Sequence, residues 1–275
     1  MSKSLRCGAL CVLALVFATA ASAIEAAGPA PFTVPADSTI PAGPDGDAIR
    51  LGRAIVSDTG KLLPDNVGNG LNCTSCHLGA GTTPLAGPFV GLWGVFPEYF
   101  ARSGGIDSLQ QRINDCFLRS MNGRALAWNS KEMNAILMYV NWLSTGVPVG
   151  VAVAGRGMGD IDTALKPDPV HGKQIYGEKC ASCHGAGGDG MKNPAGGYFF
   201  PPVWGSASFN AGAGLARTYT AAAFIKHNMP LGQGGSLPGQ DAVDVADFVA
   251  HQPRPAYAAG KRDYAKGDKP KDARN

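Results

Sequence analysis

Two pentapeptides, Cys73-Thr74-Ser75-Cys76-His77 and Cys180-Ala181-Ser182-Cys183-His184, place two thiols and then an imidazole at the same spacing. That pattern suits covalent attachment of haem c. The thiols add to the vinyl groups, and the next residue sits directly beneath the ring they hold, as proximal iron ligand. A bare CxxC also fits a zinc knuckle or a redox dithiol. Neither accounts for a His after both copies, and no βαβ pattern surrounds them. Cys73, Cys76, Cys180 and Cys183 are therefore expected to bind two haem c groups, with His77 and His184 on iron. The sequence has seven cysteines. Cys7 and Cys11 fall in a leader, which leaves Cys116 without a counterpart. An unpaired thiol in an oxidising compartment is either held by a metal or reactive.

Each iron needs a second axial ligand. Met229, in Lys226-His227-Asn228-Met229-Pro230-Leu231, stands late enough after His184 for the chain to cross the ring. Its thioether would raise the redox potential. Lys226 shares its face of a helix. Packing of Met229 in the core is the alternative, and Met158 and Met191, in glycine-rich loops, are weaker ligands. In the first half Met133 and Met138 belong to an amphipathic helix from Lys131 to Leu143, capped by Asn129 or Ser130, and read as core. Cys116 is the better ligand there, in the middle of a helix expected from Ser108 to Met121. A thiolate would lower the potential; the alternative is a buried inert thiol. Helical spacing puts Arg112, Arg119 and Ser120 on the side of Cys116. Cations there would lower a thiol pKa and hold an anion, unless they simply form a solvated face.

The elements that must position these groups occur twice: a helix, a CxxCH motif, a loop and a late helix. Asp47 to Val56 precedes the first motif as His171 to Glu178 precedes the second. The expected fold class is mainly α, with two cytochrome c-type (class I-like) haem domains over 47–145 and 169–252. Residues 146–168, rich in Gly, Val and Pro, read as the linker. An extended arm covers 24–46, and a mixed-charge tail, mobile or lying against the other domain, covers 253–275. The run Gly185-Ala186-Gly187-Gly188-Asp189-Gly190 matches GxGxxG formally but lacks the strand before and the helix after that a dinucleotide site requires.

Residues 1–23 read as a cleaved export signal: Lys3 and Arg6, an apolar run from Ala9 to Ala20, then Ala21-Ser22-Ala23. The run is too short to span a bilayer, so the mature product is expected in the periplasm without membrane insertion. Cleavage removes two cations and no acid, taking the formal net charge from +3 to +1. Haem propionates would make it negative, so nucleic-acid binding has no support.

Several segments together resemble the bacterial diheme thiosulfate dehydrogenases, over about Asp47 to Pro255. They are NGLNCTSCHLGAGT, the QRINDCFLRSMNG helix, SKEM with YVNWL, CASCHGAGGDG, YFFPPVWGSASFNAGAG and TAAAFIKHNMPLG. The resemblance implies an active site at a His/Cys-ligated haem, where two thiosulfate ions become tetrathionate and two electrons pass to a cytochrome-type acceptor. His77 and Cys116 match the first haem's ligands, and His184 and Met229 the second's. Arg102, Arg112 and Ser120 fall where the family places groups around the substrate. Some relatives carry Lys directly before the distal Met, where this chain has Asn228; a ligand exchange would then require Lys226. The mechanism expected has Cys116 leaving or shifting on iron to form a sulfur–sulfur adduct with thiosulfate. Rival readings are the reverse, tetrathionate-reducing direction, a plain electron-transfer cytochrome, and a haem subunit of a larger sulfur-oxidising complex.

Overall fold

Each CxxCH motif lies between a helix that precedes it and a late helix that returns to pack on the first. In the computed structural model, which describes residues 28–194 and 196–274, the first unit holds α1 (Pro44–Ser57), α2 (Thr59–Leu62), α3 (Leu78–Gly81), α4 (Leu109–Arg119) and α5 (Lys131–Leu143). The second holds α6 (Pro169–Ile175), α7 (Ala181–His184), α8 (Thr218–Asn228) and α9 (Gly239–Ala250). Each unit adds one antiparallel ribbon: β1 (Glu98–Phe100) with β2 (Gly105–Asp107), and β3 (Met191–Lys192) with β4 (Tyr198–Phe200). The expected export signal lies outside the described residues. Among those described, no helix is long and apolar enough to cross a membrane.

Local chemistry sets the helix ends. Pro44 opens α1, three residues ahead of Asp47, because proline has no amide proton to waste and a φ already suited to a first turn. The end of the expected arm is therefore helical. The hydroxyls of Ser108 and Ser130 accept from the amides of Gln111 and Met133, capping α4 and α5. Of the two caps expected for α5, Ser130 is the one used. Asp168 caps α6 by accepting from Val170 and His171. The glycine-rich run at 185–190 follows α7 and leads into β3, so it opens no helix.

The main packing is α1 against α5 in the first unit, and α6 and α8 against α9 in the second. Both crossings close on a glycine. A Cβ on Gly52 would stand 2.0 Å from the Ala135 carbonyl oxygen, and one on Gly172 would stand 2.0 Å from that of Asp244. These are backbone atoms that cannot swing aside, so only glycine lets the helices meet this closely. Around the crossings lie Ile55, Phe117, Met133 and Val140 in the first unit and Ile175, Tyr176, Val245 and Val249 in the second. Met133 is fully buried, as its place on an amphipathic helix implies.

The segments outside the two units are folded onto them. From the linker region, the carbonyls of Gly155 and Gly157 accept from Leu85 and Gly87, each at 2.8 Å, and Val153 pairs with Ala30 of the arm. The tail lies against both units. Its Asp263 pairs with Arg119 on α4, and its Asp272 pairs with Arg217 and accepts from the Tyr219 amide. In this structure the tail is docked, its carboxylates meeting cations on the body of the protein. The units also touch directly: Asn210 donates to the Leu118 carbonyl and Asn228 to that of Leu85, both at 2.9 Å.

Candidate active site and cofactor sites

The two CxxCH segments adopt different turns that reach the same end. Cys73–Ser75 forms a 3-10 turn under a reciprocal cap in which Asn72 and Ser75 satisfy each other's backbone. Tyr176–Cys180 is a π-turn running into α7. In both, the histidine is held from behind by a carbonyl. His77 Nδ1 lies 2.5 Å from Gly87 O, and His184 Nδ1 lies 2.9 Å from Pro201 O. A carbonyl only accepts, so Nδ1 carries the proton and Nε2 keeps the lone pair that a metal takes. Burial is the main force holding both imidazoles neutral: His77 is pushed down to about 4, with Arg112 adding to the effect, and His184 shifts in the same direction. Burial likewise raises the Cys73 and Cys76 thiols to about 12 and Cys180 to about 11. Such sites favour uncharged sulfur, which is what a thioether link to haem provides.

The residues around the second motif fit that cofactor. Cys180, Cys183, His184 and Met229 line one cavity, with Tyr176, Phe200, Phe224 and Val245 among its apolar walls. Met229 reaches it because α8 ends there: its backbone is extended, with φ −121° and ψ 149°. Lys226 is not part of the lining, whereas Met229 shares it with His184. Asn228 is buried and spends its amide on the Phe224 and Leu85 carbonyls. The same cavity is walled on one side by the first unit, through Asn72, Thr74, Ser75 and Cys76. The two attachment sites are thus neighbours across the domain boundary.

At the first motif α4 supplies the groups. Cys116 is half-buried at the helix middle, close enough for its charge to act on both Cys73 and Cys76. One turn earlier, Arg112 lies over the Phe100 ring at 5.6 Å, and its charge reaches His77. Ser120 ends the helix half-buried, with its amide on the Cys116 carbonyl. Arg102 follows β1 and donates to Gly212 O at 2.9 Å, at the contact between the units.

Arg119 departs from its expected place beside Cys116. It is buried in a bidentate pair with Asp263 at 2.7 and 2.8 Å, with its guanidinium 4.6 Å from the Tyr257 ring centre. Helical spacing alone offers it to the thiol, but a carboxylate from the tail, distant in sequence, takes its guanidinium. Sequence reasoning also missed Phe100, Gly87 and Asn228. Apart from Asn228, noted only as a departure from relatives, none carries a motif. Each matters through a contact made across the fold.

Fold and motifs together define a c-type cytochrome with two haem-binding domains. Residues 65–149 match the model described as SoxA/TsdA, cytochrome c domain, and residues 167–249 match that of Cytochrome C oxidase, cbb3-type, subunit III. Two covalently bound haem c groups are its cofactors. The chain is 49% identical over 257 residues to a thiosulfate dehydrogenase of Psychrobacter arcticus, covering 94% of this chain and 79% of that one. It is 51% identical over 230 residues to one of Allochromatium vinosum, covering 82% and 85%. A solved thiosulfate dehydrogenase structure, TsdBA of Marichromatium purpuratum, superposes with a TM-score of 0.79 at 37% identity. That match covers 82% of this chain and half of the longer chain. The protein belongs to the thiosulfate dehydrogenase family.

Proposed function

We propose that this chain is a periplasmic enzyme that oxidises two thiosulfate ions to tetrathionate and passes two electrons to a cytochrome-type acceptor. The observation that carries the reading is the convergence on α4 of Cys116 and Arg112 beside the first haem motif. In this reading His77 and Cys116 would hold the iron of the first haem, and His184 and Met229 that of the second. The kinship to thiosulfate dehydrogenases supplies the substrate class. The haems supply a sink for one electron each.

The chain's own residues bind the ions and make the sulfur–sulfur bond. Arg112, with Arg102 and Ser120, holds sulfonate oxygens by charge-assisted hydrogen bonds. The Cys116 thiolate bonds to the outer sulfur of one thiosulfate, and two electrons leave the pair of sulfurs. The outer sulfur of a second thiosulfate then attacks the sulfur attached to Cys116. Tetrathionate departs, the sulfur–sulfur bond to the protein breaks, and the thiolate returns with charge and atoms balanced. Phe100 beneath Arg112 keeps that guanidinium directed and partly dry, which strengthens its hold on a dianion. A haem held in the neighbouring second cavity would supply the exit for the electrons, and Met229 would give it a thioether ligand that favours reduction.

The test is a steady-state assay on haem-loaded protein with thiosulfate as sole donor and ferricyanide as acceptor, wild type beside Cys116→Gly. Tetrathionate from wild type and none from the variant is the expected result. Undiminished turnover by a Cys116→Gly protein with both haems intact would sink the mechanism. No turnover by either protein would move the reading to an electron carrier.

A further inference from the structure

The helix that carries Cys116 is closed at its C-terminal end by a residue of the other unit. The last carbonyls of an α-helix have no amide partner within it. In α4, Cys116 O accepts from the amides of Ser120 and Met121, and Phe117 O accepts from that of Gly123. The next two carbonyls turn to Asn210, in the loop between β4 and α8. Its side-chain amide donates to Leu118 O at 2.9 Å, and its backbone amide donates to Arg119 O at 3.1 Å. Ser120 O accepts from Asn69 at 2.8 Å, and Asn69 also donates to Ser208 O at 3.2 Å, just ahead of Asn210.

Asn210 is 1% exposed, and both ends of its side chain are engaged. The nitrogen also donates to Asn122 Oδ1 at 3.2 Å, and the oxygen accepts from the Gly212 amide at 3.0 Å, which shapes the loop as a tight turn. That turn presents the Gly212 carbonyl to two arginines of the first unit, Arg102 at 2.9 Å and Arg119 at 3.3 Å. A Cβ on Gly212 would stand 2.5 Å from the Tyr257 ring, so only glycine fits there. Phe209, just before Asn210, lines the second haem cavity. One short loop therefore forms part of the wall of one site and part of the frame of the other. Cys116 lies within a turn of the capped carbonyls, and Ser120 directly follows them. Buried carbonyls that lose their donors reorganise to recover them. Arg112 lies a turn deeper in α4 and packs on Phe100, away from that end.

We propose that Asn210 is a positioning residue for the first site: it fixes the end of α4, and with it the Cys116 thiol, so that the second unit completes the active site of the first. The proposal rests on the reading of α4 as the helix that handles thiosulfate. A misplacement of about 1 Å in a reacting group can cost on the order of a hundredfold in rate. Loss of the Asn210 link therefore reaches the chemical step through Cys116, while the grip of Arg112 on the anion stays. Because Asn210 also joins the two units, a drop in thermal stability says nothing about positioning. The split between kcat and KM, and the first-haem spectrum, do.

The experiment uses the diheme protein as it is made, with wild type, Asn210→Ser and Asn210→Ala compared. The readouts are steady-state thiosulfate oxidation and the electron paramagnetic resonance signals of the two ferric haems. A serine hydroxyl can still accept from Gly212 and keep the turn, but its shorter side chain falls short of Leu118 O. The expected result for Asn210→Ser is a kcat lower by about tenfold to a hundredfold with KM little changed. The first-haem signal changes and the second-haem signal does not. Asn210→Ala loses the turn as well, which frees Arg102 and adds a rise in KM. If Asn210→Ala does not fold, Asn210→Ser decides alone. A kcat in Asn210→Ser equal to that of wild type overturns the proposal, even if thermal stability falls. A lower kcat with an unaltered first-haem signal overturns it too, because the effect then lies away from Cys116. Wild type that forms no tetrathionate from thiosulfate would instead overturn the reading of the site, and the proposal with it.

Discussion

The two halves of this molecule are built alike around the histidine and differently in the groups gathered near it. In each, a first helix crosses a last helix at a glycine, and a CxxCH histidine is steadied by a backbone carbonyl. Near the first motif lies a regular helix bearing a thiol and an arginine one turn apart. The cavity at the second is shared by His184 and an extended Met229 at a helix end, among apolar walls. The shared half is what any covalent haem needs. The divergent half decides what it does: a polar, cationic face suits an anionic substrate, and an apolar face with a thioether suits electron transfer.

If the halves are independent copies of one packing device, a bulky residue at either crossing should remove one haem site and spare the other. Gly52→Val forces a side chain into the Ala135 carbonyl, and Gly172→Val into that of Asp244. The cost lies at or beyond the roughly 1–3 kcal/mol of ordinary overpacking, because backbone must move. The expected outcome is protein with one covalent haem per chain, read from the haem-to-protein absorbance ratio. Loss of both haems in either variant would show that the halves fold as one.

A smaller effect tests the strap between them. Arg119 and Asp263 are 9% and 6% exposed, so Asp263→Asn leaves a buried cation with only the more distant Asp115, at 3.6 Å, as a carboxylate partner. A loss of about 3 kcal/mol is expected in denaturant unfolding, with the first-haem spectrum altered more than the second, since Arg119 shares α4 with Cys116. Smaller again is Arg112→Gln. Removing one charge-assisted hydrogen bond, worth about 1.5–3 kcal/mol, should raise the thiosulfate KM about tenfold to a hundredfold. The second-haem midpoint should stay where it is.

The smallest difference concerns pH. At the second crossing His171 is raised above 6.5, chiefly by its bond to Asp244, and Asp244 is lowered by its hydrogen bonds despite burial. A raised histidine stabilises the fold at low pH and loses that contribution as pH climbs through its folded value. The lowered carboxylate loses its own contribution only as pH falls below 3.8 toward its folded value. The first crossing is braced instead by Arg53, paired with Asp37 and lying over Trp142 at 5.1 Å, and it keeps its charge throughout. Stability of the second half should therefore decline slightly as pH rises above 6.5, and His171→Asn should flatten that slope. Equal slopes in the variant and wild type would contradict the assignment.

Much of this was open to reading in the chain itself. CxxCH ties function to adjacent residues, so both attachment sites were legible without a fold. The helical spacing around Cys116 and the Ser130 cap were also local matters. The placement of Arg119 was not, because an i, i+3 relation sets which side a residue leaves the helix and says nothing of a carboxylate 144 positions on. The tail, the Gly87 and Pro201 carbonyls and the Asn228 link share that character. Their meaning comes from groups that are neighbours only once the chain has folded. Sequence determined which residues carry the chemistry and the helices that present them. Tertiary structure decided which of the arginines are committed to carboxylates of the chain, and which are left facing the sites.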